Sequence, residues 1–204
     1  MAYGMLIDLK KCVGCHACAV ACKEAHGTPP GITRSHVKRE FEGEYPDATM
    51  HIVPMLCMHC ENPPCVEACP TEGATYKRED GIVVVDKEKC IGCKYCMMAC
   101  PYGVRDWNKA ESVVEKCTLC QHLTAAGEKP QCVKVCSVQC RFYGDLDDPE
   151  SDASKAIAAK PDAAHRLKDF GNGPSTVYLL SDKYCEWRES TEYHDTCCAE
   201  GADA

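Results

Sequence analysis

Cys90-Ile91-Gly92-Cys93-Lys94-Tyr95-Cys96-Met97-Met98-Ala99-Cys100-Pro101 is the stretch that decides how this chain folds. Its spacing is C-x2-C-x2-C-x3-C-P, so three thiols recur at steps of three residues and a fourth follows four residues later. The first three thiols can bind three corners of one iron–sulfur cube, and in two-cluster ferredoxins the fourth cysteine of such a run binds the other cluster. One run therefore predicts a partner run elsewhere in the chain.

Three further groups of four cysteines accompany this run, which is the third group along the chain. Group one shares its lead-in with group three, since Ile7–Cys12 matches Val85–Cys90 at an offset of 78 residues. Groups two and four share the pattern P-x-C-V-x-x-C, at residues 63–69 and 130–136, so the chain contains an internal repeat. The four groups are Cys12, Cys15, Cys18 and Cys22; Cys57, Cys60, Cys65 and Cys69; Cys90, Cys93, Cys96 and Cys100; and Cys117, Cys120, Cys132 and Cys136.

The crossed-ligand rule turns these groups into four predicted 4Fe–4S clusters. Groups two and three are neighbours and form one two-cluster unit, while groups one and four flank them and form the other. The four predicted ligand sets are site 1, Cys12, Cys15, Cys18 and Cys136; site 2, Cys117, Cys120, Cys132 and Cys22; site 3, Cys57, Cys60, Cys65 and Cys100; and site 4, Cys90, Cys93, Cys96 and Cys69. Every iron then has a protein ligand, which favours electron transfer and leaves no catalytic residue in the chain.

The two units predict an α+β fold of small antiparallel hairpins and short helices. The outer ferredoxin-like unit comprises residues 1–31 and 102–147, with groups one and four, and the inner unit comprises residues 57–101, with groups two and three. An Asp-Gly turn inside the inner unit, at residues 80–81, predicts a hairpin between its two cysteine groups. A compact chain of this length has a radius of gyration of about 17 Å, so four cubes must lie on the order of 10 Å apart.

Two segments lie outside the cluster units. Residues 32–56 carry no cysteine and are predicted to form a surface excursion of two strands, either a contact for a partner or a cover for one cluster. Residues 148–204 form a C-terminal helical and strand extension that we expect to dock a partner. Within it the sequence predicts helices over 151–160 and 163–170 and a strand over 175–180.

Composition limits what the chain can bind. Its 204 residues include 20 cysteines within a hydrophobic share of 45%, so the remaining apolar core is thin and we expect folding to depend on the clusters. The formal net charge of −8 argues against nucleic-acid binding through a basic face. The longest apolar runs are too short to cross a bilayer, and residues 1–7 lack the charged start and long apolar stretch of a signal peptide.

Disulfides and zinc are alternative uses for so many cysteines. Disulfide scaffolds are usually short and secreted, whereas sixteen cysteines here fall into four groups with cubane spacing. Zinc ribbons use two C-x2-C pairs, and not three thiols in a row with a fourth assigned elsewhere. Iron–sulfur clusters therefore explain the pattern best. The thiols outside the groups are interpreted as structural or incidental; they are Cys140, Cys185, Cys197 and Cys198.

The four groups, in this order and with these spacings, resemble the iron–sulfur subunit of the DMSO-reductase-type molybdopterin oxidoreductases. The resemblance covers roughly residues 3–150. Residues 57–62, 78–83 and 100–104 also resemble the small subunit of pyrogallol–phloroglucinol transhydroxylase, and residues 144–149 are similar to arsenate-reductase-like subunits. Family members with a three-iron cluster lack one cysteine of the third group. That group is intact here, which implies four 4Fe–4S clusters.

The resemblance implies partners and a role. The expected partner is a catalytic subunit with a molybdenum or tungsten bis-pterin cofactor, and many members add a membrane subunit that exchanges electrons with quinone in anaerobic respiration. This chain would be a non-catalytic electron-transfer subunit. It would either stay in the cytoplasm or, as the resemblance favours, leave it folded with a partner whose twin-arginine signal leads to the outer face of the cytoplasmic membrane. The alternative is a free-standing polyferredoxin that serves several oxidoreductases.

Overall fold

The computed structural model describes residues 3–180, so Cys185, Cys197, Cys198 and the end of the predicted extension lie outside the described residues. The strands of this part are β1 (Tyr3–Asp8), β2 (Ser35–Glu42), β3 (Thr49–Leu56), β4 (Thr75–Lys77), β5 (Val83–Val85), β6 (Asp106–Asn108), β7 (Val113–Glu115), β8 (Arg141–Asp145), β9 (Ala164–His165) and β10 (Val177–Leu179). The helices are α1 (Ala17–His26), α2 (Pro64–Glu67), α3 (Tyr95–Met98), α4 (Gln121–Thr124), α5 (Gln131–Lys134) and α6 (Asp152–Ala158). None of the described helices is long and apolar enough to cross a bilayer.

The largest sheet of the described residues has four strands in the order β8-β1-β10-β9. Strand β1 is central, antiparallel to β8 and parallel to β10, with Leu6 opposite Val177. Met5 and Ile7 face the main core, whereas Leu6 faces a second cluster that α6 covers with Ala153. Because the strand is buried on both faces, it reads as a continuous apolar run in the sequence.

Two strand pairs lead into the cysteine groups in the same way. Strand β4 follows group two and pairs with β5, which precedes group three; this is the hairpin that the Asp-Gly turn predicts. Strand β8 follows group four and pairs with β1, which precedes group one. The repeat extends to the turns, since Asp8 and Asp86 each accept a hydrogen bond from the backbone N–H two residues on, at 3.1 and 3.0 Å.

The predicted hairpin of residues 32–56 is strands β2 and β3, paired in antiparallel register along their whole length. Its base is part of the core, where Met55 is fully buried, while Phe41 and Tyr45 at its tip are 75% and 95% exposed. One face covers the group one loop. There Arg39 Nη2 donates to the carbonyl oxygen of Gly14 at 2.8 Å.

The C-terminal extension is helical only in its first part. Helix α6 lies inside the predicted range, with Ser151 Oγ accepting from Ser154 N at 3.1 Å as its N-cap. The prediction of a helix over 163–170 is wrong. Pro161 interrupts the chain with a single turn of 3-10 helix, strand β9 then pairs with β10, and the residues after it form a loop. Pairing with β10 satisfies backbone groups that a helix would have used, so tertiary contact overrides local preference.

Candidate iron–sulfur cluster sites

The four cysteine loops share one backbone feature. The residue before the second cysteine of each group has a left-handed conformation, with φ of 66° at Gly14, 44° at His59, 69° at Gly92 and 50° at Leu119. Glycine adopts this conformation without strain, whereas histidine and leucine do so rarely. The same turn in all four groups curls the backbone around the sulfur atoms, and a short helix begins within a few residues of it in groups one, three and four.

The thiols predicted for sites 3 and 4 surround two separate enclosed cavities. The thiols that line the first cavity are those of Cys57, Cys60, Cys65 and Cys100. The thiols that line the second are those of Cys69, Cys90, Cys93 and Cys96. Each cavity therefore combines three cysteines of one group with the last cysteine of the other. Apolar side chains complete both walls, among them Val104 in the first and Val114 in the second.

The thiols predicted for site 2 are buried neighbours. Burial, with Cys132 and Cys120 close by, raises the pKa of Cys22 to about 12. Burial also raises the pKa of Cys117, and the charges of Cys132 and Cys22 add to the rise. Group one thus supplies its last cysteine to the group four loop. Helix α1 carries it there, because Cys22 lies on the buried face of that helix.

Site 1 is more open and includes one thiol that the sequence did not predict. Cys15 is exposed, in contrast to the second cysteines of groups two and four. Buried Cys140 lies between two of the predicted ligands: its Sγ is 3.4 Å from that of Cys136, and a hydrogen bond with it lowers the pKa of Cys12. Cys140 therefore contacts site 1, although it stands outside the four groups.

The donor set fits iron–sulfur clusters. Burial raises the pKa of Cys60 to about 12 and that of Cys65 to about 11, since a buried thiolate without a metal is unfavourable. Iron binding supplies the positive charge that such a group of thiolates needs. Among residues 3–180, no three His, Cys, Asp or Glu side chains converge closely enough to hold a single metal ion. At sites 3 and 4 the thiols stand around a cavity instead of meeting at one point.

Known proteins are similar in sequence to most of this chain. Residues 48–146 and 11–74 each match a 4Fe–4S dicluster domain. A tetrathionate reductase subunit of Salmonella typhimurium is 44% identical over 184 residues, which cover 88% of this chain and 73% of that protein. The thiosulfate reductase electron transfer subunit of Salmonella typhi is 46% identical, covering 90% and 95%, and the arsenate respiratory reductase iron–sulfur subunit of a Shewanella strain is 37% identical, covering 89% and 97%.

The chain belongs to the family of iron–sulfur electron-transfer subunits of reductases. The family's cofactor is the 4Fe–4S cluster, and two matched dicluster domains indicate more than one per chain. The thiosulfate and arsenate reductase relatives are named as electron-transfer and iron–sulfur subunits, and not as catalytic subunits. The α+β fold and the absence of a catalytic role, both predicted from the sequence, agree with this family.

Three buried cations lie among the thiols of this iron–sulfur subunit, and the sequence did not predict them. Arg105, Lys116 and Arg141 are 5%, 2% and 3% exposed. Arg105 Nη2 donates to Cys65 Sγ at 2.8 Å, and Arg141 Nη2 donates to Cys18 Sγ at 3.3 Å. Both arginines stand five residues after the last cysteine of a group, a spacing that is visible in the sequence once it is sought.

The extension contributes a further unpredicted contact to site 3. Asn172 Nδ2 donates to Cys60 Sγ at 2.9 Å and to the Tyr102 hydroxyl at 3.0 Å. Asp169 orders this loop, because its Oδ1 accepts from the backbone N–H groups of three residues, 171 to 173. No local pattern in the sequence indicates a contact between residues 112 positions apart.

Proposed function

We propose that this subunit carries single electrons through four 4Fe–4S clusters, between a catalytic subunit with a molybdenum or tungsten bis-pterin cofactor and a second redox partner. The observation that supports the proposal is the occurrence of sixteen cysteines in four groups of four, which under the crossed sets would give every cluster four protein ligands and leave no open iron position. A fully ligated cluster suits electron transfer and does not suit substrate chemistry. The relatives that are subunits of tetrathionate and selenate reductases support a catalytic partner.

We propose the crossed ligand sets of sites 1 to 4 for these clusters, within an inner unit of groups two and three nested inside an outer unit of groups one and four. The two thiol-lined cavities support the inner sets. The equivalent pairing of β4 with β5 and of β8 with β1 supports two ferredoxin-like units. The proximity of Cys22 to Cys132 supports the exchange of ligands between groups one and four.

The sites then follow one another in a line from site 1 to site 4. Cys18 of site 1 is a neighbour of Cys132 of site 2, and Cys117 of site 2 is a neighbour of Cys57 of site 3. Sites 3 and 4 meet at the guanidinium group of Arg105. Electrons would enter at one end of this line and leave at the other.

Both ends of the line expose apolar side chains that suit partner subunits. Val13 and Val20 beside site 1 are 60% and 65% exposed, and Ile91 and Met98 beside site 4 are 68% and 74% exposed. The two pairs occupy the same positions of the internal repeat. One end would face the catalytic subunit, and the other a quinone-linked membrane subunit. We propose that the hairpin tip and the C-terminal extension also contact partner subunits. We further propose that the folded chain is exported together with its catalytic partner.

The test is the metal content of the anaerobically purified protein. We expect about sixteen iron and sixteen acid-labile sulfide atoms per chain, with spin-coupled 4Fe–4S signals in the EPR spectrum after dithionite reduction. Cys136→Ala should lower the iron content by about four, whereas Cys140→Ala, its matched control, should leave it unchanged. A protein that contains zinc and no sulfide would overturn the proposal, and iron loss confined to Cys140→Ala would overturn the ligand set of site 1.

A further inference from the structure

Three cations are buried in this acidic protein without a carboxylate partner. The net charge is −8, yet Arg105, Lys116 and Arg141 are each at least 95% buried. Within residues 3–180 none of them forms an ion pair with Asp or Glu. In that part of the chain, Lys116 Nζ donates to the carbonyl oxygens of Val83 and Cys117. A buried cation is costly unless an anion compensates it, so each position calls for a negative group.

The two arginines point to where that negative group would be. Nη1 of Arg105 and Nη1 of Arg141 are buried and have no hydrogen-bond partner among the described residues. Arg105 also lines the cavity that the site 3 thiols surround. A cluster in that cavity presents thiolate and sulfide sulfur atoms, which accept hydrogen bonds. The unused donors therefore match the chemistry of the proposed cofactor.

Each cation lies at the boundary between two successive sites. Arg105 donates to Cys65 of site 3, and its positive charge also acts on the Cys96 thiol of site 4. Arg141 donates to Cys18 of site 1, and its positive charge also acts on the Cys132 thiol of site 2. Lys116 Nζ donates to the carbonyl oxygen of Cys117 of site 2 at 2.8 Å, and its charge also acts on the Cys57 thiol of site 3. Four sites in a line have three boundaries, and each boundary holds one cation.

We propose that Arg105, Lys116 and Arg141 are built-in counter-cations, one at each boundary between neighbouring clusters, that raise the reduction potentials of the two clusters they separate. The inference rests on the proposed four-cluster function. Reduction adds an electron to a cluster that is already anionic. The added charge then disfavours reduction of the neighbouring cluster. A cation between two clusters stabilises the reduced form of both.

Electron transfer across a boundary needs no other chemistry from these residues. One electron would leave the donor cluster, which would be oxidised by one unit, and would enter the acceptor cluster, which would be reduced by one unit. No bond forms or breaks, and no proton moves. Arginine stays protonated throughout, so its charge serves whichever of its two clusters holds the electron. The partner redox centres of the proposed complex supply and remove the electrons.

An EPR-monitored redox titration of the four-cluster protein tests the proposal, with signals assigned to sites by single Cys→Ser variants. Arg105→Met should lower the equilibrium constant for reduction of sites 3 and 4 about tenfold, equivalent to about 59 mV for one electron. Sites 1 and 2 should be unchanged. Lys116→Met should act on sites 2 and 3, and Arg141→Met on sites 1 and 2. Arg105→Lys keeps the charge and should recover most of the shift.

Arg166→Met removes an exposed arginine and is the matched control, for which no potential should move. Iron and sulfide are counted first in every variant. Potentials that stay unchanged in a fully loaded Arg105→Met protein would overturn the proposal, as would an equal shift of all four clusters. If Arg105→Met loses iron, Lys116→Met carries the test. Loss of clusters in both would overturn the proposal in favour of a structural role. If the wild-type protein itself lacked clusters, the proposed function would fail instead.

Discussion

Gly92 shows at the scale of one residue how tightly a cluster loop is constrained. Its φ is 69°, and a Cβ added there would lie 2.6 Å from Cη2 of Trp107 and 2.8 Å from the carbonyl oxygen of Ser112. We expect Gly92→Ala to displace the site 4 loop and to cost about four iron atoms per chain. Iron and sulfide analysis measures the loss.

Gly27 is the matched control for that variant. Its φ is 58°, so alanine is strained there too, but nothing lies within 4 Å of the added Cβ. Gly27→Ala should therefore keep its full iron content and lose only about 1 kcal/mol of stability through the strained C-cap of α1. Equal iron contents in the two variants would show that the crowding at Gly92 does not matter to site 4.

The sequence predicts residues well where chemistry repeats locally and poorly where it does not. The spacing of the cysteines identifies all sixteen candidate ligands, and two of the four left-handed loop positions are glycines. The other two are His59 and Leu119, which have no local signal for this conformation. His59 Nδ1 accepts from the backbone N–H of Val83 at 3.0 Å, a contact made only after the chain folds. Asn172 is unpredictable for the same reason.

At the scale of elements, Glu115 at the end of β7 ties three parts of the chain together. Its carboxylate accepts from Arg34 Nε at 2.8 Å, from Lys87 Nζ at 3.0 Å and from Asn108 Nδ2 at 2.9 Å. Burial opposes ionisation, yet these hydrogen bonds hold the pKa of Glu115 at about 2. The carboxylate thus joins the entry to the β2–β3 hairpin, the group three lead-in and the β6–β7 hairpin.

Removing this carboxylate should destabilise the protein strongly. Glu115→Ala leaves the largely buried Arg34 without its anion, and we expect a loss of about 3 kcal/mol. The matched control is Glu111→Ala, because Glu111 also binds Lys87 but is half exposed. Its loss should stay below about 1 kcal/mol. The two variants are compared under anaerobic conditions at a fixed guanidinium concentration. The measurement is the rate at which the visible absorbance of the clusters is lost. Equal rates would show that Glu115 is not a structural junction.

Elements with a local turn signal could be predicted, and elements held by distant pairing could not. The β4–β5 hairpin follows from Asp80-Gly81, and α1 ends at His26 because Gly27 forms its left-handed C-cap. Residues 163–170 carry an apolar pattern that suits a helix, but β9 forms there because β10 lies alongside. Strand β10 in turn depends on β1, which lies near the opposite end of the chain.

At the scale of the whole molecule, the thin apolar core expected from composition is supplemented by the cysteines. The main core includes Cys57, Cys60, Cys117 and Cys132, and a smaller cluster includes Cys65 and Cys96. Because the thiols pack within the apolar core, we expect folding and cluster binding to be coupled. The proposed counter-cations would offset the negative charge of the clusters, which the formal net charge of −8 does not include.

The linear order of the sites leads to a prediction for the entire chain. In the proposed line site 4 has a single neighbour, site 3, so a defect in site 4 should remain at that end. Cys93→Ser replaces one thiolate of site 4 with a weaker oxygen ligand. We expect it to alter or remove one EPR signal and the spin coupling of that signal to site 3, while the couplings between sites 1 and 2 and between sites 2 and 3 persist.

Cys140→Ala is the control for this variant, because it removes a thiol that contacts Cys136 at the opposite end of the proposed line. Its spectrum should retain the site 4 signal and its coupling to site 3. If Cys93→Ser instead removed a signal of sites 1 and 2, the crossed ligand sets and the line built on them would both be wrong.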